Sequence, residues 1–438
     1  MDIGLLIKKL IYVTDYIDEC HINLYDAVNY FEECEMKKIL VVITMCSVIA
    51  GFVFAGDNQS AKYMRVLSRE AATDSIDTAY FNPAGTAFLE KGFHGQINGQ
   101  TVYLNYEHTA PDFSALGGPK NFKAEMKHWV PFIPSAHVGY NGGNWAAFLS
   151  YAIPEGGGSL DYSDGVAIGV AGATPGFMQG KLKVASATHS ISLGGSYAIN
   201  DTLSIGGKAT MSIATTDIDA NIISSAVTVQ GMPNRTLMNG KAELKASGIG
   251  YGGAFGIHYF PLEELGLSLT VESAQEIEMD IKDSKSANAT LLTTVKAMVV
   301  DADTPWRIRF GASYAFPFGL EIPVTFKYNL WNAVDEDTNK DSWLTAIGFR
   351  YPLSEKLEVS LGGSYSTGKV KEDKLDNSFL NPELDAITIG TGVGWEIIDN
   401  LNLDFGVLYP YYMSADGEKY KDMMKQVIDM AIGIGYVY

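Results

Sequence analysis

Between residues 94 and 438 the chain repeats one theme: short stretches in which apolar and polar residues alternate, joined by connections that are by turns long and short. A period of two marks a β-strand with one apolar face. It constrains this sequence more than any other feature. Trp306, Ile308, Phe310, Ala312, Tyr314 and Phe316 stand opposite Arg307, Arg309, Gly311 and Ser313. Ile322, Val324, Phe326, Tyr328 and Leu330 oppose Thr325, Lys327 and Asn329. Leu265, Leu267, Leu269 and Val271 oppose Ser268, Thr270 and Glu272, and comparable faces run over 357–366 and 401–409. With segments near 94–106, 132–140, 144–153, 184–199, 202–219, 245–260, 341–352, 384–398 and 425–438, the pattern predicts fourteen strands.

The connections sort into two classes. Long ones are expected near 107–131, 154–183, 220–244, 281–303, 332–340, 369–383 and 415–424. Between them lie tight turns such as Asn141-Gly142-Gly143, Asn200-Asp201, Pro317-Phe318 and Asp399-Asn400. Long loops on one side, short turns on the other and an even strand number describe an all-β fold, an antiparallel transmembrane β-barrel of the bacterial outer membrane. A soluble sandwich or propeller has no reason to sort its loops in this way. Aromatics recur near strand ends (Tyr151, Tyr197, Tyr259, Tyr314, Phe316, Tyr351, Trp395), where an interfacial girdle among outer-membrane lipids would sit. Gly433, Tyr436 and the terminal Tyr438 match the pattern read by the barrel assembly machinery, an expected partner. Mean hydropathy of +0.03 with 45 Gly and 24 Tyr suits alternating strands, and a net charge of −19 argues against nucleic acid as a partner.

At the other end, Met36-Lys37-Lys38, an apolar run over 39–50 and Val53-Phe54-Ala55 read as a secretory signal peptide over 36–55. Residues 1–35 then read as an overextended gene start. The three cysteines, Cys20, Cys34 and Cys46, all precede the expected cut, so no disulfide or thiolate chemistry is expected after it. No phosphate-binding motif is present, and no cofactor or metal is expected.

A barrel over 94–438 leaves 56–93 without strand alternation. This segment contains Thr78-Ala79-Tyr80-Phe81-Asn82-Pro83-Ala84-Gly85-Thr86-Ala87. Asn82 can fold its side chain onto nearby backbone N–H groups, and Pro83 fixes φ near a first-helical-turn value. Gly85 leaves room for a positive φ or a close approach of another backbone. A piece too short for a domain, tethered at the periplasmic end, reads as a hatch in the lumen. Here the chain resembles the long-chain fatty acid outer-membrane transporter family (the FadL/TodX type), on Arg65, on Asp74-Ser75-Ile76-Asp77 followed by the Asn82-Pro83-Ala84-Gly85 motif, and on the strand count. Where that family has a Gly-rich stretch, this chain reads Val66-Leu67-Ser68-Arg69-Glu70-Ala71-Ala72.

The resemblance implies a passive transporter, not an enzyme, taking up long-chain fatty acids or other lipophiles. Extracellular loops would capture them, an interior site would hold them, and release would pass the hatch, sideways through a gap in the wall. A hatch pinned only by local turns would move at little cost. The apolar residues of 154–183 (Val166, Ile168, Val170, Phe177, Met178) and of 220–244 (Ile222, Ile223, Val227, Val229, Met232, Leu237, Met238) either form an exposed capture patch or pack together as a cap. For a carboxylate head, Arg307, Arg309 and Lys327 are the candidate ligands among inward cations that include Lys208 and Arg350. Each has an inward acid such as Glu272, Glu358, Glu396 or Asp404 as its competing partner. Pro154-Glu155-Gly156-Gly157-Gly158 would end strand pairing. Three other classes are weaker. Ser135 and His137 have hydrolase spacing, but their face points into the lumen. An adhesin mounted on a barrel is the alternative function, and an open diffusion porin has no use for a hatch.

Overall fold

The computed structural model describes residues 59–170, 176–229, 232–235 and 239–438. The expected signal peptide, the extension before it and all three cysteines lie outside the described residues. In chain order the strands are β1 (Gly92–Thr109), β2 (Lys123–Asn141), β3 (Trp145–Val170), β4 (Gly176–Asn200), β5 (Leu203–Val229), β6 (Met232–Arg235), β7 (Gly240–Leu262) and β8 (Leu265–Glu272). They continue with β9 (Asp280–Ser286), β10 (Arg307–Ala315), β11 (Glu321–Asn329), β12 (Ser342–Ser354), β13 (Leu357–Ser366), β14 (Ala386–Ile398), β15 (Leu401–Tyr412) and β16 (Lys421–Val437).

Among the described residues fourteen of these strands form a closed antiparallel ring. β1 pairs with β16, as in Asn98↔Gly433, and β5 pairs with β7, as in Ile213↔Ile249. The short β6 and β9 lie outside the ring, paired to β5 and β7. Closure leaves no unpaired strand in the ring, as a barrel in hydrocarbon requires.

The period-two pattern sets the two faces. On β10, Ile308, Phe310 and Tyr314 are exposed while Arg307, Arg309 and Ser313 are buried inside. On β16, Ile428, Met430, Ile432 and Ile434 face out, opposite Val427, Asp429 and Ala431. Exposed aromatics ring the turn end (Tyr140, Trp145, Tyr197, Tyr259, Tyr314, Trp395), and Trp129, Tyr251, Trp306 and Tyr411 mark a higher level. From Tyr314 to Trp306, eight residues at about 3.4 Å and a tilt of about 40° rise roughly 20 Å, close to the height of an outer-membrane apolar band. Tyr151 sits higher on β3, its hydroxyl bonded to His189 Nδ1 at 2.8 Å.

The wall is strongly asymmetric. β3, β4 and β5 run for 26, 25 and 27 residues, whereas β8 has 8 and β10 has 9. Most of 154–183 and 220–244, expected as loops, is therefore strand. Val166, Ile168, Phe177, Met178 and Ile222 are buried instead of forming an exposed patch, while Ile223 faces out. Alternation explains this for residues two apart such as Val166 and Ile168, which share a face, whereas the adjacent Phe177 and Met178 are each covered on their own side. Met178, Ile168 and Ile222 meet Leu291, Val295 and Met298, carried on or just after helix α3 (Ala289–Lys296), and Phe177 stacks on Phe113 with ring centroids 5.4 Å apart. Val170 ends β3. Val227, Val229 and Met232 fall in strands β5 and β6, and Leu237 and Met238 lie outside the described residues.

Candidate transport site

The segment before β1 fills the lower lumen. Helix α1 (Ala61–Val66) is capped by Ser60, whose hydroxyl accepts from Tyr63 N, and ends at Leu67 with φ 58°. That left-handed value is the one glycine adopts at least cost. The wall opposite α1 is cleared of side chains. A Cβ at Gly390 would lie 2.3 Å from Met64 O, and one at Gly406 would lie 2.7 Å from Ala61 O. Arg65 runs along Gly392 and Gly394 to reach Glu358 and Asp404, each at 3.0 Å.

The Asn82-Pro83-Ala84-Gly85 motif forms the next turn. Asn82 Oδ1 accepts from Ala84 N at 3.1 Å, and its Nδ2 donates to Ile257 O at 3.2 Å. Pro83 opens a 3-10 turn over Pro83–Phe88. Gly85 serves close approach, since a Cβ there would lie 2.7 Å from Ala72 O. Ala84 O accepts from Ser204 Oγ, and Asn141 donates to Thr86 O, Ala87 O and Leu89 O.

Ahead of the motif, Arg69 meets Asp77 and Asp74, both at 2.6 Å, and Arg350 of β12 also reaches Asp74 at 2.8 Å. Burial raises the Asp77 and Asp74 pKa values, but Arg69 and Lys62, joined at Asp74 by Arg350, together outweigh it and hold both carboxyls below the ordinary range. The segment before β1 is thus anchored to the wall by buried ion pairs and side-chain hydrogen bonds. This corrects the expectation that only local turns hold it.

Above this segment lies a cavity of about 180 Å³. Tyr80, from helix α2 (Thr78–Phe81), lines it, and four cations reach it: Arg307, Lys327, Lys369 and Lys425, against the acids Glu155 and Glu383. Arg307 is committed to Glu155 at 2.8 Å and Glu272 at 3.3 Å. Lys369 rests on the Trp331 ring at 3.7 Å. Lys425 donates to Asn381 Oδ1 at 3.0 Å between the rings of Tyr106 and Tyr412. Neither lysine makes an ion pair among the described residues. Higher still, the interior is apolar, with Ile133, Ile153, Leu160, Leu375 and Leu380 in one cluster.

Of the three predicted cations, Arg307 and Lys327 come together at the cavity. Arg309, 1% exposed, lies outside its lining, tied to Glu272 at 3.3 Å under the Tyr80 ring. Phe177 and Met178 are also absent from the cavity lining. Lys208 donates to Tyr80 O at 2.6 Å. Sequence reasoning missed Lys369 and Lys425. The inward alternation of β16 could have found Lys425; Lys369 lies in a connection and carries no such signal. Ser135 and His137 are buried facing the lumen, where Ser135 donates to Gln59 O and His137 Nδ1 bonds Ser150 at 2.8 Å.

The wall is broken beside the cavity. β2 and β3 pair only from Asn141↔Ala146 to Ala136↔Tyr151, and beyond that β3 pairs with β4 alone among the described residues. Continuing the register would set Pro134 against Ile153, with Pro154 next to it, and proline has no N–H to give. β3 itself continues through a bulge between Ala152 and Glu155, with Gly156 at φ 74° and Gly157 at φ 88°.

A closed outer-membrane barrel with a folded segment in its lumen and a charged cavity above it defines a transport channel for small molecules. The chain belongs to the family described as Outer membrane protein transport protein (OMPP1/FadL/TodX), which matches residues 40–429. That family comprises outer-membrane transporters of hydrophobic compounds, channels and not enzymes, and the chain is a bacterial outer-membrane protein of this kind. Its fold is similar to a Pseudomonas aeruginosa FadL homologue, with 12% identity, a TM-score of 0.64, and 88% of this chain and 99% of that one covered. The Pseudomonas putida toluene transporter TodX gives 13%, 0.56, 88% and 99%, and the Ralstonia pickettii toluene transporter TbuX gives 12%, 0.53, 83% and 94%. No curated protein sequence matches the chain significantly.

Proposed function

We propose that this protein admits hydrophobic compounds bearing an acidic head, and that the head binds in the cavity between the hatch and the apolar upper interior. The observation that carries this is the pair Lys369 and Lys425, which face the cavity beside Glu383 and make no ion pair among the described residues. Trp331, Tyr412 and Leu384 supply apolar walls beside them. A dry cavity of about 150 Å³ admits benzene, so the space takes a head group with its first carbons, or one ring. A longer tail extends into the apolar cluster above, where each buried methylene contributes about 0.8 kcal/mol. Long-chain fatty acids and aromatic acids both fit this description.

The break between β2 and β3 is the exit on this reading, because Pro154 and Glu155 line the cavity and the wall there lacks its ladder. The exported chain would begin after 55, with 56–93 as hatch and Tyr438 as the assembly signal.

The test is equilibrium binding of oleate and benzoate, each beside its uncharged alcohol, to the purified protein and to a Lys369→Gln, Lys425→Gln variant. Charge-assisted hydrogen bonds contribute about 1.5–3 kcal/mol, so the variant should bind the carboxylates roughly 10- to 100-fold more weakly and the alcohols unchanged. Equal loss for acids and alcohols, or no loss, refutes the carboxylate site.

A further inference from the structure

On β1, two residues along the same face from Tyr106, stands His108. It is 1% exposed, and neither ring nitrogen has a hydrogen-bond partner among the described residues. Its neighbours are rings: Phe379 at 4.9 Å and 83°, Tyr420 at 5.6 Å and 75°, Tyr162 at 5.8 Å and 61°. Phe379 lies flat on Tyr420, with centroids 3.8 Å apart and planes 8° apart. A buried imidazole with two unmet nitrogens is costly to keep in an aromatic box. The Tyr162 hydroxyl cannot relieve it, because it donates to Leu380 O at 2.8 Å.

Phe379 differs from most of the other walls in where it is attached, Tyr420 being the last residue of the connection that leads into β16. His108, Tyr162 and Tyr106 stand on ring strands, whereas Phe379 follows the 3-10 turn Glu372–Ser378 in the connection between β13 and β14. The same connection brings Asn381 to Lys425 and places Glu383 and Leu384 on the cavity, so it roofs the cavity. Its ties near Phe379 are single bonds from Tyr162 and Lys425, the turn bond from Asn381 N to Ser378 O, and the Asp376 carboxylate, which accepts from Lys419 N and Tyr420 N.

We propose that His108, Tyr162 and Tyr420 form a second ligand subsite on the way to the cavity, and that Phe379 is its built-in occupant. When the roof lifts, the Phe379 ring leaves its slot. A planar aromatic ring carrying one hydrogen-bonding group then stacks on Tyr420 and bonds the imidazole of His108. The ligand class follows from the slot: it already holds a flat ring in stacking geometry, and it offers a polar atom that phenylalanine leaves unused. This rests on the reading of the barrel as an uptake channel, but it does not need the lysines of the cavity.

The probes are p-cresol, uncharged with one hydroxyl, and toluene, the same ring without it, titrated calorimetrically into the full chain in detergent. Phe379→Ala should tighten binding of both several-fold. Adding His108→Phe should cancel the gain for p-cresol, about tenfold, and keep it for toluene. No change with Phe379→Ala, or an equal loss for both probes with His108→Phe, overturns the proposal. The unaltered protein gives an independent reading, because p-cresol should shift the His108 ring resonances in a histidine-labelled sample. An unmoved His108 signal at saturating p-cresol also overturns it. A p-cresol response at His108 together with carboxylate binding indifferent to Lys369 and Lys425 would retain this subsite while refuting the cavity reading.

Discussion

The side-chain amide of Gln59 takes the place of a strand partner for Ile153: its Nε2 donates to Ile153 O at 3.0 Å and its Oε1 accepts from Ile153 N at 3.1 Å. Ile153 is where the β2–β3 ladder has already stopped. Gln59 thus satisfies, with one side chain, both backbone groups of Ile153 beside Pro134 and Pro154. Ser135 on β2 donates to Gln59 O, so the same residue also touches the far side of the break.

Gln59→Ala should therefore leave two buried backbone groups unmet, at about 1–3 kcal/mol each. The expected result is faster amide exchange at Ile153, with the amide of Phe310 across the barrel unchanged. Equal protection of Ile153 in both proteins would show that the amide does not close the break.

Glu155 competes with any anionic ligand for Arg307, which it meets at 2.8 Å. Glu155→Gln removes that charge and leaves Glu272 as the acid partner of Arg307 in the structure. On the carboxylate reading, oleate and benzoate should then bind more tightly, by about 1–2 kcal/mol or roughly 5- to 30-fold, in line with a charge-assisted hydrogen bond. Their alcohols should not respond. Weaker carboxylate binding would mean that Glu155 orients Arg307 for the ligand and does not oppose it.

The ring of strands was legible because the lipid face and the lumen face of one strand carry different chemistry, as Ile308 and Phe310 do against Arg307 and Arg309. The reach of β3, β4 and β5 was not, because Pro154 and the glycines after it read as a stop. They instead make a bulge, through which β3 continues along β4. Val166 and Ile168 do keep the period of two beyond it. The segment before β1 was legible as leftover chain, but its anchoring was not. Arg65 meets Asp404 and Ser68 meets Thr325 across hundreds of residues, and only the closed barrel brings them together. The cavity was legible in part: alternation points Arg307 and Lys327 inward, while Lys369 arrives from a connection folded back over the lumen, where Asn339 bridges Val370.

The glycines of β14 had a signal of their own, since Gly390, Gly392 and Gly394 recur with the strand period. Gly390→Ala would set a methyl group 2.3 Å from Met64 O, a backbone atom that moves only if α1 moves. Overpacking of this kind costs about 1–3 kcal/mol. The variant should form the barrel, shown by heat-modifiable migration, yet expose the 59–91 segment to protease. Gly363→Ala is the control, because no atom lies within 4 Å of a Cβ there. Identical digestion of the two variants would mean that α1 does not depend on the glycine wall.

The Arg69 cluster sets a pH limit on the hatch. Asp74 and Asp77 titrate below their ordinary value because the cations around them, Arg69 first, together outweigh their burial. A carboxyl whose folded pKa is depressed contributes stability that is fully present above its unfolded pKa, about 3.9, and is lost as pH falls through the folded value. Protection of the 59–91 amides, corrected for intrinsic exchange, should accordingly stay flat from pH 8 to about 5 and fall only below about 4. Asp77→Asn should give a hatch that is already loose at pH 7, because Arg69 and Ser60 lose their shared acceptor charge, and its pH dependence should be shallower. A hatch that loosens between pH 7 and 5 in the unaltered protein would place control elsewhere, with groups of higher pKa and not with this pair of aspartates.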